Sequence, residues 1–211
     1  MSESKQFSCS DCGALSCYRQ DKDLPQGCLS EGVELERIKE LYRSDPLVSK
    51  IATAAAEVEG LFYGKYTRVQ EIIAFAKQIG AKKVGIATCI GLINETKTFV
   101  KILDAHGVES YCANCKVGSI DKGEVGIPDD LKLQKGVFEG MCNPVLQAEL
   151  MNKQGTDLNV IVGLCVGHDS LFIKYSDAPV TTLIIKDRVL GHNPAAALYT
   201  TNTYYKKLLT P

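Results

Sequence analysis

The sequence lacks any apolar run of roughly 18 residues or more, so no transmembrane helix is expected. It also lacks a charge excess. Its 24 Lys and Arg face 25 Asp and Glu, a net charge of −1. No basic field is therefore available to attract nucleic acid or an anionic membrane surface. Residues 1–7 are polar and carry no signal-like apolar stretch, so a cytoplasmic location is expected. Three motifs are missing as well. Without G-x-G-x-x-G a dinucleotide fold has no support, and without G-x4-G-K-[ST] neither has nucleotide hydrolysis. Without G-x-S-x-G there is no serine-hydrolase elbow.

What the chain has in abundance is cysteine, nine residues in 211. The number is odd and no export signal accompanies it, which argues against a disulfide framework, because a reducing cytosol keeps thiols reduced. Clustered thiols in such a chain point to metal binding or redox chemistry. So many free thiols are a liability in oxygen, and an anaerobic source follows as an expectation. With 45% hydrophobic and 23% charged residues the chain reads as globular, with enough apolar mass for a core.

Cys9, Cys12, Cys17 and Cys28 are spaced C-x2-C-x4-C-x10-C. Nothing in residues 1–30 is periodic or apolar enough to fold unaided, so this segment reads as a metal-binding head. Four thiolates suit an iron–sulfur cluster or a closed tetrahedral zinc site. Zinc ribbons pair two C-x2-C knuckles, and the second knuckle is missing here. That favours iron–sulfur, with zinc as the alternative. The bland reading is a set of free cysteines in a mobile tail.

Residues 31–211 read as one α/β domain with a helical N-terminal part. Val33, Leu35, Ile38, Leu41 and Tyr42 keep a helical period. Asp45-Pro46 opens a second helix, and Thr67 caps a third whose apolar face is Val69, Ile72, Ile73, Ala76 and Ile79. Strands are expected at 83–88, 108–113, 159–164 and 180–186, with helices at 93–106 and 143–153 between them. Short helices close the chain at 194–199 and 204–209. Near-continuous apolar strands alternating with helices indicate a three-layer, mostly parallel four-stranded sheet. The expected strand order is 2-1-3-4.

In such a sheet ligands bind beyond the carboxyl ends of the strands. The remaining thiols fall there: Cys89 after the first strand, Cys112 and Cys115 at the end of the second, and Cys165 after the third. Cys142 precedes the helix that leads into the third strand. Cys89 and Cys165 share one pattern, an apolar strand, Cys, a β-branched residue and Gly. With first and third strands adjacent, these two would face each other across the crevice. Gly91 and Gly167 lack a Cβ and let backbone amides approach a ligand closely, and such amides favour an anion or thiolate. His168 could ligate metal or donate a proton, with Asp169 to orient it. His192 follows the fourth strand and could line the same edge. The ordinary alternatives are a core cysteine and a helix-start histidine. His106, before a stop glycine, reads as structural, and the charged run 129–135 as a solvated face.

With Cys9-x2-Cys12-Gly13, Cys17 and Cys28, then Cys142-Asn143-Pro144, then Val162–Phe172, Ala178-Pro179-Val180 and Lys186–Pro194, the chain resembles an uncharacterised bacterial and archaeal family of predicted metal-binding proteins, domain of unknown function 1847. The resemblance implies metal binding and names no reaction. Family members often carry proline after the last N-terminal cysteine; here Leu29 stands there.

The reading that follows is a cytoplasmic iron–sulfur protein with one or two clusters of the four-iron kind. One is held by the head. A second lies in the crevice among Cys89, Cys112, Cys115, Cys142 and Cys165, five candidates for four positions. A small-molecule substrate, an electron-transfer partner and homo-oligomerisation are expected, and redox or sulfur transfer is the expected chemistry. Two alternatives stand beside it: a zinc-stapled protein without catalysis, and a cysteine enzyme using Cys165 with His168.

Overall fold

A computed structural model describes residues 8–21 and 23–210, so the polar stretch 1–7 lies outside the described residues. The chain divides into two compact units, Met1–Thr53 and Ala54–Pro211. The division falls inside a helix.

The first unit contains a 3-10 turn at Cys9–Asp11, α1 (Ser16–Arg19), α2 (Leu35–Ser44) and the start of α3 (Pro46–Phe62). Pro46 decides the break between α2 and α3. A residue before proline is pushed out of the helical region, and Asp45 accordingly sits at φ −78°, ψ 116°. Its carboxylate then caps α3, accepting from the amides of Leu47 and Val48 at 2.9 Å each. Among the described residues up to Thr53, Ser16 alone is buried. Among its described residues this unit therefore has no apolar core of its own.

The second unit holds the rest of α3, then α4 (Arg68–Gln78), β1 (Lys83–Thr88), α5 (Ile93–Ala105), β2 (Glu109–Asn114), α6 (Pro144–Gln154), β3 (Leu158–Val162), α7 (His168–Tyr175), β4 (Val180–Ile184) and α8 (Ala195–Tyr199). The sheet is fully parallel, in the order β2-β1-β3-β4. The last expected helix is a 3-10 turn, Lys206–Leu208.

Strand alternation splits the core into two layers. Val84, Ile86, Leu158, Val160 and Val162 pack against α4 and α5 through Ile72, Ile73, Ala76, Phe99 and Leu103. Ala87, Ala113 and Ile161 pack against α6 and α7 through Ala148, Met151 and Phe172. Helices thus cover both faces, giving three layers. Register fixes where the chain leaves the sheet. Thr88 pairs with Asn114 on one side and with Val162 on the other. The residues just past these three strand ends emerge at one carboxyl edge, between β1 and β3, where the strand order reverses.

Candidate functional site

Cys89 is the first residue past β1 and Cys115 the first past β2. The Cys89 amide donates to Val162 O at 3.0 Å, which holds it beside the end of β3. The Ile90 amide donates to Cys115 Sγ at 3.3 Å, which brings the two strand ends together. Cys89 and Cys115 are buried, at 7% and 2% exposure.

A long loop returns Cys142 to the same place. The Asn143 amide donates to Cys115 O at 2.7 Å. Lys116 Nζ donates to Gly140 O at 2.5 Å, and the Met141 amide donates to Ile120 O at 2.8 Å. Farther out, Asp121 and Glu139 clamp the loop. Lys132 bridges Asp121 and Asp129 at 3.0 and 3.3 Å, and Lys122 meets Glu139 at 2.6 Å. Two amide donors, Glu139 and Gly123, together with Lys132, hold the Asp121 carboxyl down at about 2. The charged run 129–135 is therefore only partly a solvated face. Lys132 is stitched into the loop with a side chain 9% exposed.

The thiols are chemically unequal. Cys115 is hydrogen-bonded to Cys142 and buried, and both effects push its thiol up. Cys142 moves the other way. The hydrogen bond from Cys115, then the charges of Lys116 and His168, hold it down at about 5, against the opposing effect of burial. Their shared hydrogen bond thus raises the one thiol and lowers the other. Cys165 lies three residues past β3 and three before α7. It accepts a hydrogen bond from Arg188 at 2.9 Å, and Arg188 also feels Cys89 and Cys142 electrostatically. Four of the five crevice candidates thus share one neighbourhood.

Cys112 stays apart. It alternates with Tyr111 and Ala113, which face α6, and so belongs to the other side of the sheet. It keeps accessible surface, yet the packing around its sulfur pushes the thiol up to about 11.

The glycines act in different ways. A Cβ on Gly91 would lie 3.3 Å from Lys186 Nζ and 3.9 Å from Cys89 Sγ, so this position permits close approach to the thiol edge. Gly167 has φ +83° with nothing nearby, so its role is conformational: it turns the chain from Cys165 into α7. His168 opens α7, its amide donating to Cys165 O at 2.9 Å. Asp169 does not orient it, because its carboxylate accepts the Ser170 amide at 2.8 Å; adjacent helical side chains do not face one another.

Cys142, Cys165, His168, Arg188, Lys116 and Lys122 line one cavity of about 730 Å³. His192 lines another, of about 520 Å³, with Leu92, Glu95 and Ile184. Leu92 and Ile184 belong to the α5 side of the core, so the two cavities lie on opposite faces. In the first unit, Cys9 and Cys17 are exposed and Cys12 and Cys28 half-buried. Among the described residues no three His, Cys, Asp or Glu side chains are already grouped to hold a single metal ion.

The sequence reading missed Lys116, Arg188 and Gln147. Gln147, on α6, is fully buried and ties down two strand ends, donating to Thr88 O at 3.2 Å and to Ala113 O at 2.7 Å. Its Oε1 has no partner among the described residues. A glutamine at a buried helix position one turn after Cys142 was the available signal.

The family described as "Protein of unknown function (DUF1847)" matches residues 28–183. The chain belongs to this family. An uncharacterised protein of Methanocaldococcus jannaschii is 48% identical to it over 204 residues, covering 95% of this chain and 97% of that relative. The family match spans all five crevice cysteines and begins at the last cysteine of the head. No described helix is long and apolar enough to cross a membrane.

Proposed function

We propose that Cys89, Cys115, Cys142 and Cys165 hold an iron–sulfur cluster, and that the cavity beside them admits a small anionic molecule for redox or sulfur-transfer chemistry. The observation that carries this reading is the convergence of four thiols, from four separate segments, at one sheet edge beside Lys116 and Arg188. The donor set fits the group. Thiolates are the ligands such clusters take, and the cations and the Ile90 amide offset the negative charge they would bring. The buried Gln147 Oε1 has no partner among the described residues, while its Nε2 reaches the ends of the strands that lead into Cys89 and Cys115, which supports a further group nearby.

When bound, such a cluster would supply electron transfer. The chain's own residues supply the rest. Lys116 and Arg188 draw an anion toward the thiols. His168 sits where it can hand over or take a proton. Ile127, Met141 and Leu171 shield the cavity from water. For the head, support comes from the missing core: four thiols in a unit without buried apolar side chains call for a cross-link. Iron–sulfur and zinc both remain candidates at that site.

A second reading has an observation of its own. Cys142 held as a thiolate beside the protonated Cys115 is the arrangement of a thiol nucleophile, which moves the cysteine-enzyme alternative from Cys165 to Cys142. Protein purified without oxygen separates the two. Iron with matching acid-labile sulfide and a broad visible absorption is the expected result. A colourless product that holds no iron or sulfide, yet has one rapidly alkylated thiol, would instead support the nucleophile.

A further inference from the structure

The cavity that contains His192 is independent of the thiols, and its chemistry is different. Its volume of about 520 Å³ lies within the roughly 300–1,000 Å³ of small-molecule sites. Its floor is apolar, formed by Leu92, Ile184 and Ile185. The polar side chains among the other lining residues are Glu95, His192 and Asn193.

His192 is held in one state by its own turn. The Asp187 amide donates to His192 Nδ1 at 3.1 Å, so the neutral ring carries its proton on Nε2. The backbone at His192 is left-handed, φ +67°, a conformation that histidine tolerates better than most residues. Asp187 stiffens the turn through its carboxylate, which accepts the Val189 and Leu190 amides at 2.9 and 2.8 Å. Among the described residues, neither His192 Nε2 nor the side chains of Glu95 and Asn193 have a hydrogen-bond or ion-pair partner. The cavity therefore offers one fixed N–H donor, one carboxylate acceptor and one carboxamide able to do either, around an apolar floor.

We propose that this cavity binds an uncharged nitrogen heterocycle of nucleobase or nucleoside size. The heterocycle would lie on Leu92, Ile184 and Ile185, present a ring N–H to Glu95, and present a carbonyl to His192 Nε2. An anionic ligand is disfavoured by Glu95, and no Lys or Arg lines the cavity to offset it. The opposite holds in the thiol cavity, where Lys116 and Arg188 favour an anion while Lys122 is paired with Glu139. This site does not depend on any metal at the thiols.

Calorimetric titration of the full chain with inosine, which has a ring N–H and a carbonyl, tests the proposal against purine riboside, which has neither. Saturable binding of inosine is expected, with purine riboside about ten-fold or more weaker. Inosine monophosphate should bind no tighter than inosine. Glu95→Ala and His192→Asn should each weaken inosine by about ten-fold or more. Asparagine tolerates the left-handed backbone, so the second variant keeps the turn while replacing the imidazole donor. Lys122→Ala, in the other cavity, should leave inosine binding unchanged. The proposal is overturned if inosine shows no saturable binding, if both cavity variants bind it as the parent does, or if Lys122→Ala is the variant that weakens it.

Discussion

On the α6 side of the carboxyl edge, Cys89, Cys115, Cys142 and Cys165 gather beside Lys116 and Arg188. On the α5 side, Glu95, His192 and Asn193 surround a floor of Leu92 and Ile184. One turn serves both. Its Arg188 reaches Cys165 at 2.9 Å, and its His192 is fixed by the amide of Asp187, one residue before Arg188. The difference between the sides begins in the strands. Successive residues point to opposite faces, so Cys112 and Cys115, three apart at the end of one strand, meet different chemistry. Cys112 faces away and its thiol is pushed up to about 11. Cys115 joins the other thiols and passes its proton's influence to Cys142. A parallel sheet with both faces covered can thus present two cavities of different lining at one edge.

The comparison can be broken first at its supports. Phe99 and Phe172 are buried centres of the two layers, at 2% and 0% exposure. Phe99→Ala and Phe172→Ala should each lower stability by about 3–5 kcal/mol in chemical denaturation. Of the two, Phe172→Ala alone should disturb thiol reactivity. A loss below about 1 kcal/mol on one face would mean that its layer is not packed as described.

The next effect is a pH dependence. In metal-free protein, alkylation of Cys142 should rise through about pH 5, not near the ordinary thiol value of 9.0. The sign for stability follows. A value depressed from 9.0 to about 5 adds stability that is complete above 9 and is lost as pH falls through 5. Cys115, raised, adds stability that is complete below the ordinary 9.0 and is lost as pH climbs through its folded value. Lys116→Ala should move the Cys142 midpoint upward, because it removes a positive charge beside the thiolate. A midpoint left near 9 in the parent protein would remove the hydrogen-bonded pair.

Smaller effects belong to the helix starts that carry each side. Asn143 caps α6 by accepting the Leu146 amide at 3.1 Å, and Thr67 stands at the start of α4, its hydroxyl donating to Gln70 Oε1 at 2.9 Å. Replacement of either by Ala should cost about 1 kcal/mol, read as a lower Tm. Asn143→Ala should also slacken Cys142 against Cys115, while Thr67→Ala should leave the thiols unchanged.

Much of this architecture was legible in the sequence because it is local. The run Lys83–Thr88 is the first strand residue for residue, and the expected order 2-1-3-4 is the order found. Glycine stops, the Pro46 break and the Thr67 cap act within a few residues, so a single sequence carries them. The placement of Cys89 and Cys165 at neighbouring strand ends followed from the order alone. The choice between Cys112 and Cys115 depended on register. Arg188 on Cys165, 23 residues apart, and Gln147 on Thr88, 59 residues apart, are contacts that only the folded chain makes. The split between the cavities was hidden for the same reason: His192 shares an edge with the thiols but lines the other face.

The most direct test of the crevice reading compares iron and acid-labile sulfide in Cys115→Ser and Cys112→Ser proteins purified without oxygen. Cys115→Ser should lose a full cluster's iron and sulfide relative to the parent, and Cys112→Ser should keep both. Equal content in the two variants, or a loss confined to Cys112→Ser, would contradict the assignment of the four-thiol edge.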